Sequence, residues 1–255
     1  EVKCFDDELR SFLLKYITQV EEEVRTLTGY KFDECNKKGV ITWYDTNAYN
    51  ENTSLQERMN AISSAYSELS KSHLDYVKFY MKNHKQIPTW IMIKVVNFST
   101  FIEILKSSKQ TVTHSICRLY GMLDSNQLPN VKLLIGSLHW LRIVRNSCAH
   151  NERIYCINRA SSSGRRNSGR ILEKYFSLLP NGYQTETDQK LFDLIVYLKY
   201  YLPSNEYNRF VDTLYNMLTD LQEKIHSNAF DYIRGHMGIR NISDLLTLKY
   251  AEKEK

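Results

Sequence analysis

The chain has 255 residues, 42% hydrophobic and 25% charged, with a net charge of +5, enough apolar side chain for one large core or two small ones. Nine Gly and four Pro are few for this length, and no apolar run reaches the roughly 18 residues of a membrane-spanning helix, so a mainly helical protein without a membrane partner is expected. The five cysteines, Cys4, Cys35, Cys117, Cys148 and Cys156, are odd in number and widely spaced, with no C-x-x-C pair; they read as reduced thiols of a cytoplasmic protein, not as a disulfide framework or zinc site.

The first residues, EVKCFDDELR, are acidic and lack an apolar signal-peptide core. With no initiator Met, the chain reads as a truncated or processed piece. Phe5, Leu9, Phe12, Leu13, Tyr16, Ile17, Val20, Val24 and Leu27 recur at helical spacing. They predict an amphipathic helix over 5–28 with Asp6, Asp7 and Glu8 in its first turn, where acids complement the helix dipole. Glu21, Glu22 and Glu23 read as its solvated face, with Glu21 also placed to pair with an inward Arg.

Residues 36–53 lose the period. Lys37, Lys38 and Gly39 signal a turn, and VITWY reads as a short extended piece. A long helix is expected from Ser54 to Asn83. His73 on it reads as a core or interface histidine, since no second ligand follows at i+4. Pro88 stands just outside the next helix, predicted as one buried element over Trp90–Leu105. Another follows over Val112–Met122, and DSNQLPN at 124–130 is a loop.

From Val131 the apolar period resumes through Leu134, Leu138, Leu141 and Val144 and enters LHWLRIVRNSCAHNERIY, residues 138–155. Arg145, Asn146 and His150 are set into that pattern. Residues 129–171 hold eight Lys/Arg against Glu152 alone, whereas 5–34 hold eight acids against four bases. The basic excess therefore surrounds Arg145 and His150 and would draw an anion, with Arg142 and Arg153 as further contacts. NRASSSGRRNSGR at 158–170 reads as a flexible surface loop or as a phosphate grip through Arg165, Arg166 and Arg170. Helices over 187–201 and 205–225 are split at Pro203, and Gly235 and Gly238 place His236 in a loop of the tail. The expected organisation is a helical core over 1–157, a basic loop over 158–186, and C-terminal helices over 187–255 packing on the same domain.

There is no G-x-x-x-x-G-K-[ST], no G-x-G-x-x-G after a strand, no H-E-x-x-H and no G-x-S-x-G, which disfavours P-loop, dinucleotide, zincin and hydrolase chemistry. Acids do not cluster near the motif, so a two-metal nuclease is disfavoured and no cofactor is expected. Cys148 lies on the apolar stripe, and two residues separate it from His150 by about 200° on a helix. It belongs to the core rather than to a thiol–base pair.

Arginine and histidine together suit RNA cleavage. RNA carries its own nucleophile, the 2′-OH, and needs a base, an acid for the 5′-oxygen and a cation at the phosphorane. Histidine, with an unperturbed pKa of about 6.5, can take the first or second role. Arginine offers a permanent planar fork to phosphate oxygens, and the Asn146 amide can orient either neighbour. Five residues on a helix lie about 140° apart and roughly 7.5 Å along the axis. One regular helix therefore does not aim both groups at one atom. A second copy across a two-fold would complete the site, so a homodimer is expected, with a distorted helix end as the alternative.

The stretch WLRIVRNSCAHNERIY resembles the signature of the Abi-like family of abortive-infection proteins, of the HEPN superfamily of helical ribonucleases, with Arg145, Asn146 and His150 in the Arg–polar–His pattern. FDDELRSFLLKYITQVEEEVRT resembles the family's early helix, with Arg10, Glu21 and Arg25 at its polar positions. IPTWIMIKVVNFSTFIEIL resembles its Pro-x-Trp helix, and HMGI its C-terminal motif. The resemblance implies an all-α HEPN-type helical bundle with additional helices, usually dimeric. It implies metal-independent RNA cleavage leaving a 2′,3′-cyclic phosphate, and a role in anti-phage defence. It also allows a small noncoding RNA partner that is bound but not cut. The leading reading is a toxin-like endoribonuclease. The second is an RNA-binding module whose cleft holds a structured RNA with latent or no cutting. The third is a helical interaction protein in which Arg145 pairs with a buried acid such as Glu21.

Overall fold

In a computed structural model of the chain, residues 1–37, 40–159, 174–180, 182–183 and 188–251 are described. They form α1 (Val2–Cys35), α2 (Leu55–Ser70), α3 (Asp75–Asn83), α4 (Thr89–Val95), α5 (Phe98–Ser107), α6 (Gln110–Leu119), α7 (Val131–Ala149), α8 (Lys174–Ser177), α9 (Leu191–Tyr201), α10 (Ser204–Lys224), α11 (Ser227–Met237) and α12 (Asp244–Tyr250). The strands among the described residues are β1 (Asn158–Arg159) and β2 (Gln189–Lys190), paired antiparallel with Asn158 opposite Lys190. The fold is the expected all-α bundle. Among the described residues no helix is long and apolar enough to cross a membrane. The chain divides into two compact units, residues 1–20 with 132–255, and residues 21–131.

In the first unit, every residue of α9 is buried, as expected of a helix that is apolar on all sides. Its one cation, Lys199, donates Nζ to the Leu248 carbonyl at 2.5 Å and lies 4.8 Å from the Tyr207 ring centroid, so the buried charge has partners. Ser137 of α7 hydrogen-bonds the Tyr201 hydroxyl of α9 at 2.7 Å. Phe12 of α1 stacks on Phe210 of α10 at 5.0 Å. The HMGI stretch ends α11: Met237 and Ile239 are buried, and Gly238 between them has φ +83°. A Cβ there would sit 3.0 Å from Lys190 Cβ and 3.3 Å from Phe192 Cβ.

In the second unit, Arg25 of α1 organises the Pro-x-Trp helix. Its Nη1 donates to the carbonyls of Ile93 at 2.6 Å and Val96 at 2.9 Å, taking up acceptors left free at the C-terminus of α4. Its Nε and Nη2 hold Glu21 Oε1 at 3.0 and 2.7 Å, and the guanidinium lies 4.8 Å from the Phe101 centroid. Glu21 therefore pairs as the sequence allowed, while Glu22 and Glu23 are exposed.

Several expected elements differ. α1 begins at Val2, which moves Asp6, Asp7 and Glu8 beyond the first turn. VITWY forms turns and bends rather than a strand; Trp43 is buried there with its indole N–H on the Ile87 carbonyl at 2.8 Å. The helix expected over 54–83 is two, because Ser72 Oγ accepts the Leu74 N–H and Leu74 is extended. His73 falls in that break and is exposed, not a core histidine. The helix expected over 90–105 is also two. Asn97 caps a new start by accepting the Thr100 N–H at 3.0 Å, and Glu68 of α2 takes the Asn97 amide at 2.7 Å and the Thr100 hydroxyl at 2.5 Å. His236 lies in α11, 4.3 Å from the Tyr232 ring, not in a loop, since the helix runs to its αL residue at Gly238.

Gly238→Ala combines left-handed strain with a close approach to α9. It is expected to destabilise the chain by about 1–3 kcal/mol, read as a lower midpoint in urea denaturation.

Candidate active site

The site grows from the end of α7. Leu134, Leu138, Trp140, Leu141, Val144 and Cys148 are buried, which turns Asn146 and His150 toward the opposite face, while Arg145, four residues after Leu141, follows the edge of the buried stripe. His139, Arg142, Asn146 and His150 follow at steps of three and four, so they share that face. His139 was not singled out in the sequence; the same spacing that marks Arg142 and Asn146 identifies it.

The helix ends at His150 in a left-handed turn. The His150 N–H still bonds the Asn146 carbonyl at 2.9 Å, the Asn151 N–H bonds Cys148 at 3.3 Å, and the Glu152 N–H bonds Ser147 at 3.0 Å. With Asn151 at φ +56°, this is the Schellman pattern, and His150 is the capping residue. The turn is then clamped by α1. Asp6 Oδ1 accepts the backbone N–H groups of Ile154 at 2.9 Å and Tyr155 at 3.1 Å. Asp6 Oδ2 takes Arg10 Nη1 at 3.0 Å, and the same Nη1 donates to the Glu152 carbonyl at 2.9 Å. Ser147 Oγ donates to Glu152 Oε2 at 2.5 Å.

Arg145 and Asn146 are half-buried and touch: Arg145 Nη1 donates to Asn146 Oδ1 at 3.3 Å. His150 is exposed, and its imidazole makes no hydrogen bond among the described residues. Arg142 is half-buried, and its Nε is a buried donor with no hydrogen-bond partner among the described residues. Arg153 is exposed, with its guanidinium 5.9 Å from the Tyr155 centroid. Arg165, Arg166 and Arg170 lie outside the described residues. Burial pushes the Cys148 thiol up to about 12, with Arg10 lowering and Asp6 raising it to lesser extents, which fits a core residue and not a nucleophile.

A family profile described as Abi-like protein matches residues 1–156, more than half of the chain. The chain belongs to the Abi-like family. Membership points to a function in abortive infection. The matched region of this Abi-like chain contains both the clamp residues Asp6 and Arg10 and the whole motif from Arg142 to Arg153. No curated protein and no solved structure matches the chain.

Asp6→Ala is expected to strand two backbone amides, at about 1–3 kcal/mol each, and to speed hydrogen exchange at Ile154 and Tyr155 while distant helices keep their protection. In the folded chain Cys148 is expected to resist alkylation at neutral pH under conditions that modify exposed Cys4, read by peptide mass spectrometry.

Proposed function

We propose that this Abi-like protein is a metal-independent HEPN-type endoribonuclease acting in abortive infection. The observation that carries the reading is the placement of an Arg145–Asn146 pair and an exposed His150 in the last turns of a helix whose end is clamped. Arg142, on the same helix face as Asn146 and His150, adds a cation that would draw an anion toward this part of the helix.

In the proposed reaction the ribose 2′-oxygen attacks the adjacent phosphorus and its proton passes to a base. The bond from phosphorus to the 5′-oxygen breaks, and an acid protonates that leaving oxygen. The products are a 2′,3′-cyclic phosphate and a 5′-hydroxyl. Arg145 stabilises the phosphorane charge, Asn146 orients the guanidinium, and His150 serves as base or acid. The complementary proton-transfer role falls to the same motif of a second copy, which makes the active form a homodimer. Arg142 and Arg153 hold flanking phosphates.

The basic excess around the motif, Arg142 and Arg153 included, supports a second reading, an RNA-binding module that holds a structured noncoding RNA without cutting it. Labelled total RNA incubated with the purified chain separates the two. Cleavage that persists in EDTA and falls 10²- to 10⁴-fold in both Arg145→Ala and His150→Ala, a range of about that size for lost acid–base help, is the expected result. Salt-sensitive binding with intact RNA favours the second reading. Cleavage that survives both substitutions contradicts the first.

A further inference from the structure

The unit formed by residues 21–131 carries a surface that plays no part in the cleavage reading. A cavity of about 300 Å³ opens there, walled by Trp43, Tyr44 and Tyr66 and edged by His84, Lys85 and Gln86. The wall rings support one another: Trp43 and Tyr66 lie 4.9 Å apart between centroids and Trp43 and Tyr44 5.3 Å. Trp43 is buried and its indole N–H is committed to Ile87, so this wall is held in place by the core. Tyr66 is 43% exposed and forms the accessible face.

The aromatic surface continues past the edge of the cavity. His84 stacks on Tyr80 at 4.5 Å, and Tyr80 meets Trp90 edge-on at 6.1 Å. Phe79 and Trp90 are more than half exposed, at 55% and 52%. Lysines are interleaved with these rings. Residues 71–94 hold Lys71, Lys78, Lys82, Lys85 and Lys94 against Asp75 alone. All five are exposed, and none makes an ion pair or side-chain hydrogen bond among the described residues.

Exposed rings alone would fit an apolar protein partner, but such a partner has no use for five unpaired cations. A duplex would answer the charge yet keeps its base faces hidden. Rings and lysines interleaved fit a single strand, whose bases stack on aromatic side chains while its phosphates meet the ammonium groups. The cavity is at the lower bound of ligand sites, roughly 300 Å³, which suits one planar base rather than an extended ligand. The Gln86 amide at its edge offers both donors and an acceptor to a base edge. We propose that this surface binds single-stranded nucleic acid, with one base held against Tyr66 in the cavity and its neighbours laid across His84, Tyr80 and Trp90. The site requires no chemistry at Arg145 or His150 and stands or falls apart from them.

The test is fluorescence anisotropy on the full chain in a His150→Ala background, with labelled oligoadenylate RNA, the same sequence as DNA, and an RNA duplex. Single strands are expected to bind at least about tenfold more tightly than the duplex. Tyr66→Ala is expected to weaken strand binding about 5- to 160-fold, the span of one lost base–aromatic stack, while Tyr66→Phe keeps the ring and stays within about twofold. Replacing Lys82 and Lys85 by Gln is expected to lower the slope of log affinity against log salt by about 0.7 per lysine. Stronger binding of RNA than DNA assigns the strand as RNA, and equal binding assigns it as single strands of either sugar. Unchanged affinity in a folded Tyr66→Ala chain overturns the proposal, as does duplex binding equal to that of the strand. If Tyr66→Ala does not fold, an unchanged salt slope in the lysine variant overturns it instead. No binding of any strand also overturns it and leaves the surface to a protein partner. Cleavage by the unsubstituted chain is scored separately, so failure at one site is distinguishable from failure at the other.

Discussion

The carboxylate of Asp6 accepts the N–H groups of Ile154 and Tyr155 and is itself held by Arg10, which closes on the Glu152 carbonyl. Asp6 is only 6% exposed, and a carboxylate that far from water persists only where donors surround it. The two backbone amides and the guanidinium are those donors. Together they fix the path of the chain immediately after α7. The left-handed turn at Asn151 lies on that path, and His150 is left as the capping residue after Ala149, exposed to solvent. Without the clamp, the last turn of α7 would fray as unsupported helix ends do, and Arg145 and His150 would lose a common frame.

A second arginine of α1 works by the same physics within the other unit. Arg25 satisfies the end of α4 through two carbonyls and satisfies itself through Glu21. One long helix therefore carries two half-buried guanidinium groups, each of which closes the end of another element. Arg10 thus holds the turn that follows the motif, and Arg25 holds the end of the Pro-x-Trp helix.

What could be read from the residues alone followed the range of the interactions involved. α7, α9 and α10 were legible because their apolar periods are local, and Cys148 was assignable to the core for the same reason. The break at Asn97 was not, because the Asn97 side chain that accepts the Thr100 N–H and starts α5 is held in place by Glu68, 29 residues away. Asp6 looked like a helix-dipole residue, since its true partners lie 148 and 149 positions further on. At the site itself, Arg145 and Asn146 were found together as neighbours on one turn. His150 is followed by Asn151 at φ +56°, a conformation that Asn tolerates but does not announce. Tyr66 and Trp43 were separated by the loss of period over 36–53, so the aromatic cavity they share could not be seen from spacing.

In the proposed reaction an arginine and a histidine at one clamped helix end promote transesterification by the substrate's own hydroxyl. Analysis of the end groups left on RNA by the purified chain tests this most directly. A 2′,3′-cyclic phosphate facing a 5′-hydroxyl is the predicted result. A 3′-hydroxyl with a 5′-phosphate would require water, not the ribose, as the attacking group and would contradict it.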